Sequence, residues 1–150
     1  MIELVENSDI AISRRIRSIF QVSYKIEAEL LQATDFPPLK RSSYDISKSK
    51  NDFYAYYLFN SMAGIIEVEC NENNTHIQSL VVHPRHFRKG IASKLIGFVL
   101  DFYKSNKYSV ETGVDNHPAL KLYKGFDFKE IRQWDTDHDV RKVRLEKYIN

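Results

Sequence analysis

Arg85, His86, Arg88 and Lys89 lie together in "RHFRKG", and Gly90 then opens a run whose apolar residues recur at helical spacing. The start of a helix leaves backbone N–H groups unpaired and carries partial positive charge. Cations and a glycine at that point could therefore hold an anion such as a phosphate. A solvated basic turn is the other reading of the same residues. Glu111 sits in "SVETGVDN", where Ser109, Glu111 and Gly113 alternate with Val110, Thr112 and Val114. One face of that strand is polar, and in a central strand it requires partners or a wet cleft. Asn116 stands where it can cap a helix, and Tyr123 shares a helical face with Leu120, as an ordinary core aromatic would. His76, His83, His86, His117 and His138 show no paired spacing for a metal, and Cys70 is alone, so no metal site is expected. The absence of a G-x-S-x-G element and of a Walker-type loop removes the common hydrolase and nucleotidase readings.

These residues need a scaffold, and the chain reads as a mixed α/β sheet. Ile2 to Val5 is a short strand. Ser8 or Asp9 caps a helix whose apolar positions Ile12, Ile16, Ile19 and Phe20 continue toward Leu31. Consecutive prolines in "TDFPPLKRSS" break it, and a short helix starts near Tyr44. The aromatic and β-branched stretch from Phe53 to Val82, punctuated by "NS" and "NENN", reads as three antiparallel strands. A helix follows with Ile91, Leu95, Phe98, Val99, Phe102 and Tyr103 on one face. "YSVETGV" is a strand, and Asn116 and Pro118 start another helix. Phe128–Trp134 and Val140–Tyr148 close the chain as a hairpin around "DTDHD". The order is antiparallel early, one strand–helix–strand crossover, then antiparallel again.

Composition bounds the rest. The 150 residues fit one domain, 1–150, with no repeat or linker to divide it. A net charge of +2 does not argue for nucleic acid. The single cysteine, the acidic N-terminus and the lack of a long apolar run lead us to expect a soluble cytoplasmic domain without membrane segments.

Two motifs carry a family likeness. Phe87, Arg88, Lys89, Gly90, Ile91 and Ala92, after the apolar "LVVHP", resemble the pyrophosphate loop of the GNAT N-acetyltransferase superfamily, (Gln/Arg)-x-x-Gly-x-(Gly/Ala). "NHPALKLYKGFDF" resembles that family's Asn-x-x-Ala-x-x-x-Tyr-x-x-x-Gly-Phe element at Asn116, Ala119, Tyr123 and Phe128. Together the motifs span about the second half of the chain. Phe87 replaces the usual Gln or Arg, and Asp127 stands where Gly is usual, in a turn that Asp can support in a left-handed conformation.

The resemblance implies the acyl-CoA N-acyltransferase-like fold and transfer of an acetyl group from acetyl-CoA to an amine, by direct attack in a ternary complex. It implies that Arg88, Lys89, Gly90, Ile91, Ala92 and Ser93 hold the pyrophosphate. Leu80, Val81 and Val82 would offer main-chain groups to the pantetheine arm where their strand splays from its parallel neighbour. Asn116 would add a contact to that arm. Tyr123 would protonate the departing thiolate, and Glu111 would accept the amine proton through water, with Glu67, Glu69 and Asp115 as reserves. A carboxylate partly withdrawn from water suits such a base, because its pKa rises toward neutrality. The acceptor is an amine on a small molecule, peptide or protein, walled by the region around "ELLQATDFPPLKRSSY" and the C-terminal hairpin. Two rivals remain: a non-catalytic CoA-binding or regulatory domain of the same fold, and a small nucleic-acid module built on the basic turn. Neither the acceptor nor the oligomeric state, homodimer included, is legible in the chain.

Overall fold

A computed structural model describes residues 1–149. Its strands and helices follow the chain as β1 (Ile2–Val5), α1 (Ile10–Leu31), α2 (Ser43–Lys48), β2 (Asp52–Leu58), β3 (Ser61–Asn71) and β4 (Asn74–Val82). The second part continues with α3 (Ile91–Phe102), β5 (Lys107–Gly113), α4 (His117–Gly125), β6 (Lys129–Asp135) and β7 (Arg141–Tyr148). Short 3-10 turns occupy Pro37–Lys40 and Pro84–His86. The seven strands form one sheet in the order β1-β2-β3-β4-β5-β7-β6. Its one parallel pair is β4 with β5, bridged by α3, and every other pair is antiparallel.

Local chemistry accounts for the element boundaries. Asp9, rather than Ser8, caps α1, accepting from the Ala11 and Ile12 N–H groups, while the Ser8 hydroxyl donates to Glu6. The break expected at the prolines comes earlier: α1 ends at Leu31 through Gln32, whose left-handed backbone (φ 55°) stops the helix. Pro37 and Pro38 open a 3-10 turn, and a reciprocal capping box between Ser42 and Asp45 starts α2. Asp127 holds the left-handed backbone its position requires, with φ of 69°.

Alternation along β3 builds two cores. Ile65 joins Phe20, Phe53 and Val81 under α1 and α2, and Ile66 joins Leu95, Val99 and Val110 under α3 and α4. The buried face of α3 departs from the sequence expectation. Ile91, Leu95, Ile96 and Val99 are buried, whereas Phe102 is 59% exposed and Tyr103 lies beyond the last turn. Phe98 and Phe102 stack on one another at the rim of the helix, 5.4 Å apart, where aromatic edges serve as well as full burial.

Candidate active site

The strand β4 carries one extra residue. Glu67 pairs with Ser79 and Val68 with Ile77, which leaves Gln78 as a bulge. The bulge changes which residues face each core: Ile77 points to the α3 side, while Val81 points to the α1 side. Pairing between β4 and β5 also stops there, at Ile77 and Val110. Beyond that point β5 remains paired to β7 as far as Gly113, and β4 remains paired to β3 as far as Val82, but the two strands no longer pair with each other. The main chain of Leu80, Val81 and Val82 thus has no ladder partner on its β5 side.

A cavity of about 630 Å³ occupies the gap. Ser79, Leu80 and Val82 form one wall and Glu111, Thr112 and Gly113 the other. Ala92 reaches it from the first turn of α3, Asn116 and Tyr123 from α4, and Lys142 from β7. The far end is closed by Phe20, Tyr24 and Glu27 of α1 and by the Pro37–Lys40 turn. A Cβ on Gly113 would stand 2.8 Å from the Leu31 methyl groups, so the end of α1 presses directly on the end of β5. Pro37, Pro38 and Lys40 from the proline segment and His138 and Val140 from the C-terminal hairpin thus line the same cavity.

The basic turn precedes Ala92, the residue of α3 that lines the cavity. Arg88 and Gly90 both adopt left-handed backbone, with φ of 64° and 75°. Gly90 has no side chain to cap the start of α3, and among the described residues the first N–H groups of that helix receive no side-chain cap hydrogen bond. A Cβ added to Gly90 would meet nothing within 4 Å, which leaves open space over the helix start. Among the described residues, Arg85, Arg88 and Lys89 enter no ion pair, while Lys89 Nζ lies 3.3 Å from His86 Nδ1. Arg88, Lys89, Gly90 and Ser93 are exposed, and Phe87 is 44% exposed. Ile91 and Val81 are buried in the two cores, so each can offer a ligand its main chain alone.

Asn116 caps α4 through its Oδ1, which accepts from the Ala119 N–H at 3.3 Å, and its Nδ2 donates to Thr112 Oγ1 at 3.3 Å. A carbonyl oxygen has a second lone pair, so the cap leaves one acceptor position open. Tyr123 is buried and packs edge-on against Phe128 at 5.5 Å. No hydrogen bond among the described residues occupies its hydroxyl. Burial, then the negative charges near Tyr24 and Glu27, raise its pKa far above that of an ordinary phenol, so the proton stays on at neutral pH.

Glu111 faces the cavity, but its Oε2 accepts from Arg144 Nη1 at 3.1 Å. The reserve carboxylates fall elsewhere. Glu67 is fully buried, accepts two hydrogen bonds from Arg41 (2.6 and 2.8 Å) and one from Asn51 (2.8 Å), and Glu69 and Asp115 are exposed outside the cavity lining. The side chains that sequence reasoning missed are Tyr24 and Glu27, one turn apart on α1. Burial raises the Glu27 pKa to about 7, against the opposing pull of Lys142. The hint in the sequence was a glutamate one turn from a buried tyrosine in a mostly apolar helical stretch. No group of three His, Cys, Asp or Glu side chains suited to a metal occurs among the described residues.

Comparison with known proteins bears on the family and the fold. Residues 15–128 match the Acetyltransferase (GNAT) family. The UPF0157 protein YqkA of Bacillus subtilis (strain 168) is 34% identical over 131 residues, which is 87% of this chain but 38% of that protein. The fold is shared with the ribosomal-protein-S18-alanine N-acetyltransferase from Escherichia coli, with a TM-score of 0.79 and 16% identity over 100% of this chain and 94% of the other. It is shared too with the PaiA N-acetyltransferase from Thermoplasma acidophilum in complex with coenzyme A, with a TM-score of 0.77 and 16% identity over 99% of both chains. With a family match from residue 15 to residue 128, across most of its length, this chain belongs to the acetyltransferase (GNAT) family.

Proposed function

We propose that residues 1–150 act as a single acetyl-CoA-dependent N-acetyltransferase domain, moving an acetyl group to an amine of a small molecule, peptide or protein by direct attack within a ternary complex. The observation that carries this reading is the one cavity shared by the splayed β4 main chain, the first turn of α3 and the Tyr123 side chain. The residues fit the cofactor: unpaired strand groups for the pantetheine amides, open space at Gly90, and unpaired cations beside it for the pyrophosphate.

When bound, acetyl-CoA would supply an activated thioester carbonyl. A β4 main-chain N–H past the bulge would polarise that carbonyl, and would do so without reorganising, because the strand is already held. Arg88 and Lys89, with the N–H groups of Gly90 to Ser93, would anchor the phosphates, and Asn116 would steady the arm. Glu111, held in orientation by Arg144, would receive a hydrogen bond from the acceptor amine directly or through water. Tyr123 would give its proton to the sulfur as the C–S bond breaks. The presence of Tyr123 in the lining of the cavity favours this reading over a non-catalytic CoA-binding domain. No helix among the described residues is long and apolar enough to cross a membrane, in keeping with the proposed cytoplasmic setting.

The test is thiol release from acetyl-CoA with a panel of amines and peptides. Amine-dependent release supports the reading. Tight CoA binding without release with any acceptor would favour the non-catalytic domain.

A further inference from the structure

Three acidic side chains line the cavity among the described residues, and two of them are already held. Asp45 accepts the Ser42 N–H at 3.0 Å in its capping box, and Glu111 accepts from Arg144. Glu27 has neither a hydrogen bond nor an ion pair among the described residues. It projects from α1 beside Tyr24, in a wall that also includes Phe20 and Phe36. We propose that Glu27 is the carboxylate that takes the proton from the incoming acceptor ammonium, while Glu111 holds the amine for attack. The proposal rests on the N-acetyltransferase reading above and names a base for it.

The chemistry of the pocket suits the assignment. An alkyl amine has a pKa near ~10.4 and enters almost wholly protonated at neutral pH. A carboxylate with no competing partner is the natural first acceptor of that proton. Burial raises Glu27 to about 7, which is where a general base working at neutral pH is most effective. The Glu27 charge is coupled to Tyr24 on its own helix, Tyr123 on α4 and Lys142 on β7. The other charged or titratable groups lining the cavity are Glu111 on β5, Asp45 on α2, and Lys40, Arg41 and His138 from the turns and loops. Arg41 is committed to Glu67, Lys40 to Asp35, and His138 lies against Asp137. Lys142 thus supplies the principal opposing charge, and it lowers the Glu27 pKa less than burial raises it.

The proton balance closes. The nitrogen loses two protons in becoming an amide. One passes to Glu27 before attack and leaves to solvent after product departs. The other, released once the new C–N bond has formed, replaces the proton that Tyr123 gives to sulfur. Glu27 and Tyr123 are also coupled, because the Glu27 charge helps to hold the phenol proton on. Protonating Glu27 removes that restraint just before Tyr123 must donate.

The experiment measures kcat/KM against pH for the full chain, Glu27→Gln and Glu111→Gln. The probes are phenethylamine and an Ala-initiated tetrapeptide as protonated acceptors, and hydroxylamine, which is largely unprotonated at pH 7. A base must be unprotonated to act, so parent activity with the protonated probes should fall as pH drops through about 7. Glu27→Gln should lose on the order of 10²-fold or more with these probes, abolish that limb and retain most activity with hydroxylamine. Glu111→Gln should keep the limb. An active parent whose pH profile is unchanged by Glu27→Gln, or an equal loss with hydroxylamine, would overturn the assignment alone. A parent that releases no thiol with any probe would overturn the acetyltransferase reading itself, and this assignment with it.

Discussion

Arg144 stands between two carboxylates, donating from Nη1 to Glu111 on the neighbouring strand at 3.1 Å and from Nε to Glu146 at 2.7 Å. The contact leaves Glu111 in the cavity wall with one oxygen engaged and the other available. Glu111→Gln keeps the shape but removes the negative charge that would attract an ammonium. Hydrogen bonds to charged groups contribute roughly 1.5–3 kcal/mol, so the amine KM should rise by about tenfold or more while kcat changes less. Steady-state kinetics with one accepted amine will show it. An unchanged KM would remove Glu111 from the acceptor site.

Tyr123→Phe preserves the ring packed against Phe128 and deletes the hydroxyl. Thermal stability should hold, and kcat should fall on the order of 10²-fold if protonation of the thiolate limits turnover. Because burial raises the Tyr123 pKa, the parent should show no loss of activity from ionisation of this phenol up to about pH 9. Full activity in the Phe variant would return Tyr123 to a packing role.

Gly90→Val places a branched side chain in the open space over the start of α3 and forces it into left-handed backbone at φ 75°. The strain costs about 1–2 kcal/mol, confined to the turn. Calorimetric affinity for CoA should fall at least about tenfold, with the circular dichroism spectrum unchanged. Equal affinity in parent and variant would place the cofactor elsewhere.

Arg41 holds the fully buried Glu67 with two hydrogen bonds and lies within 6 Å of the Phe20 and Phe53 rings, at 5.9 and 5.8 Å. Removing one partner strands a charge in the core. Arg41→Ala should therefore destabilise by about 3–5 kcal/mol in urea unfolding at pH 7, and should recover part of that loss in an Arg41→Ala/Glu67→Gln double variant. A loss below about 1 kcal/mol would show the pair to be dispensable.

Much of the fold was legible because its signals are local. The period of α1, a cap at Ser8 or Asp9 and the "NS" and "NENN" turns each act over a few residues, and the structure has them, with Asp9 as the cap. It also has the left-handed turn at Asp127, whose side chain tolerates that backbone. The end of α1 is set by left-handed Gln32 and not by the prolines. The buried face of α3 was legible in period but not in extent. Spacing alone cannot tell that Ile96 would be buried and Phe102 left 59% exposed, since that depends on which neighbour the helix end meets.

The candidate site divides in the same way. Sequence motifs by themselves determined the basic turn at Arg88–Gly90, the cap at Asn116, the tyrosine at 123 and the polar face carrying Glu111, since each belongs to one segment. Only the tertiary structure decided what these residues meet. It paired Glu111 with Arg144 and Glu67 with Arg41, and it ended the β4–β5 ladder at Ile77 and Val110. It also brought Glu27 of the first helix into the cavity with Tyr123 of the last. The physical reason is that strand register and helix docking are settled by burial summed over the whole sheet. A carboxylate's partner and its exposure to water follow from that sum, and no short window of residues contains it.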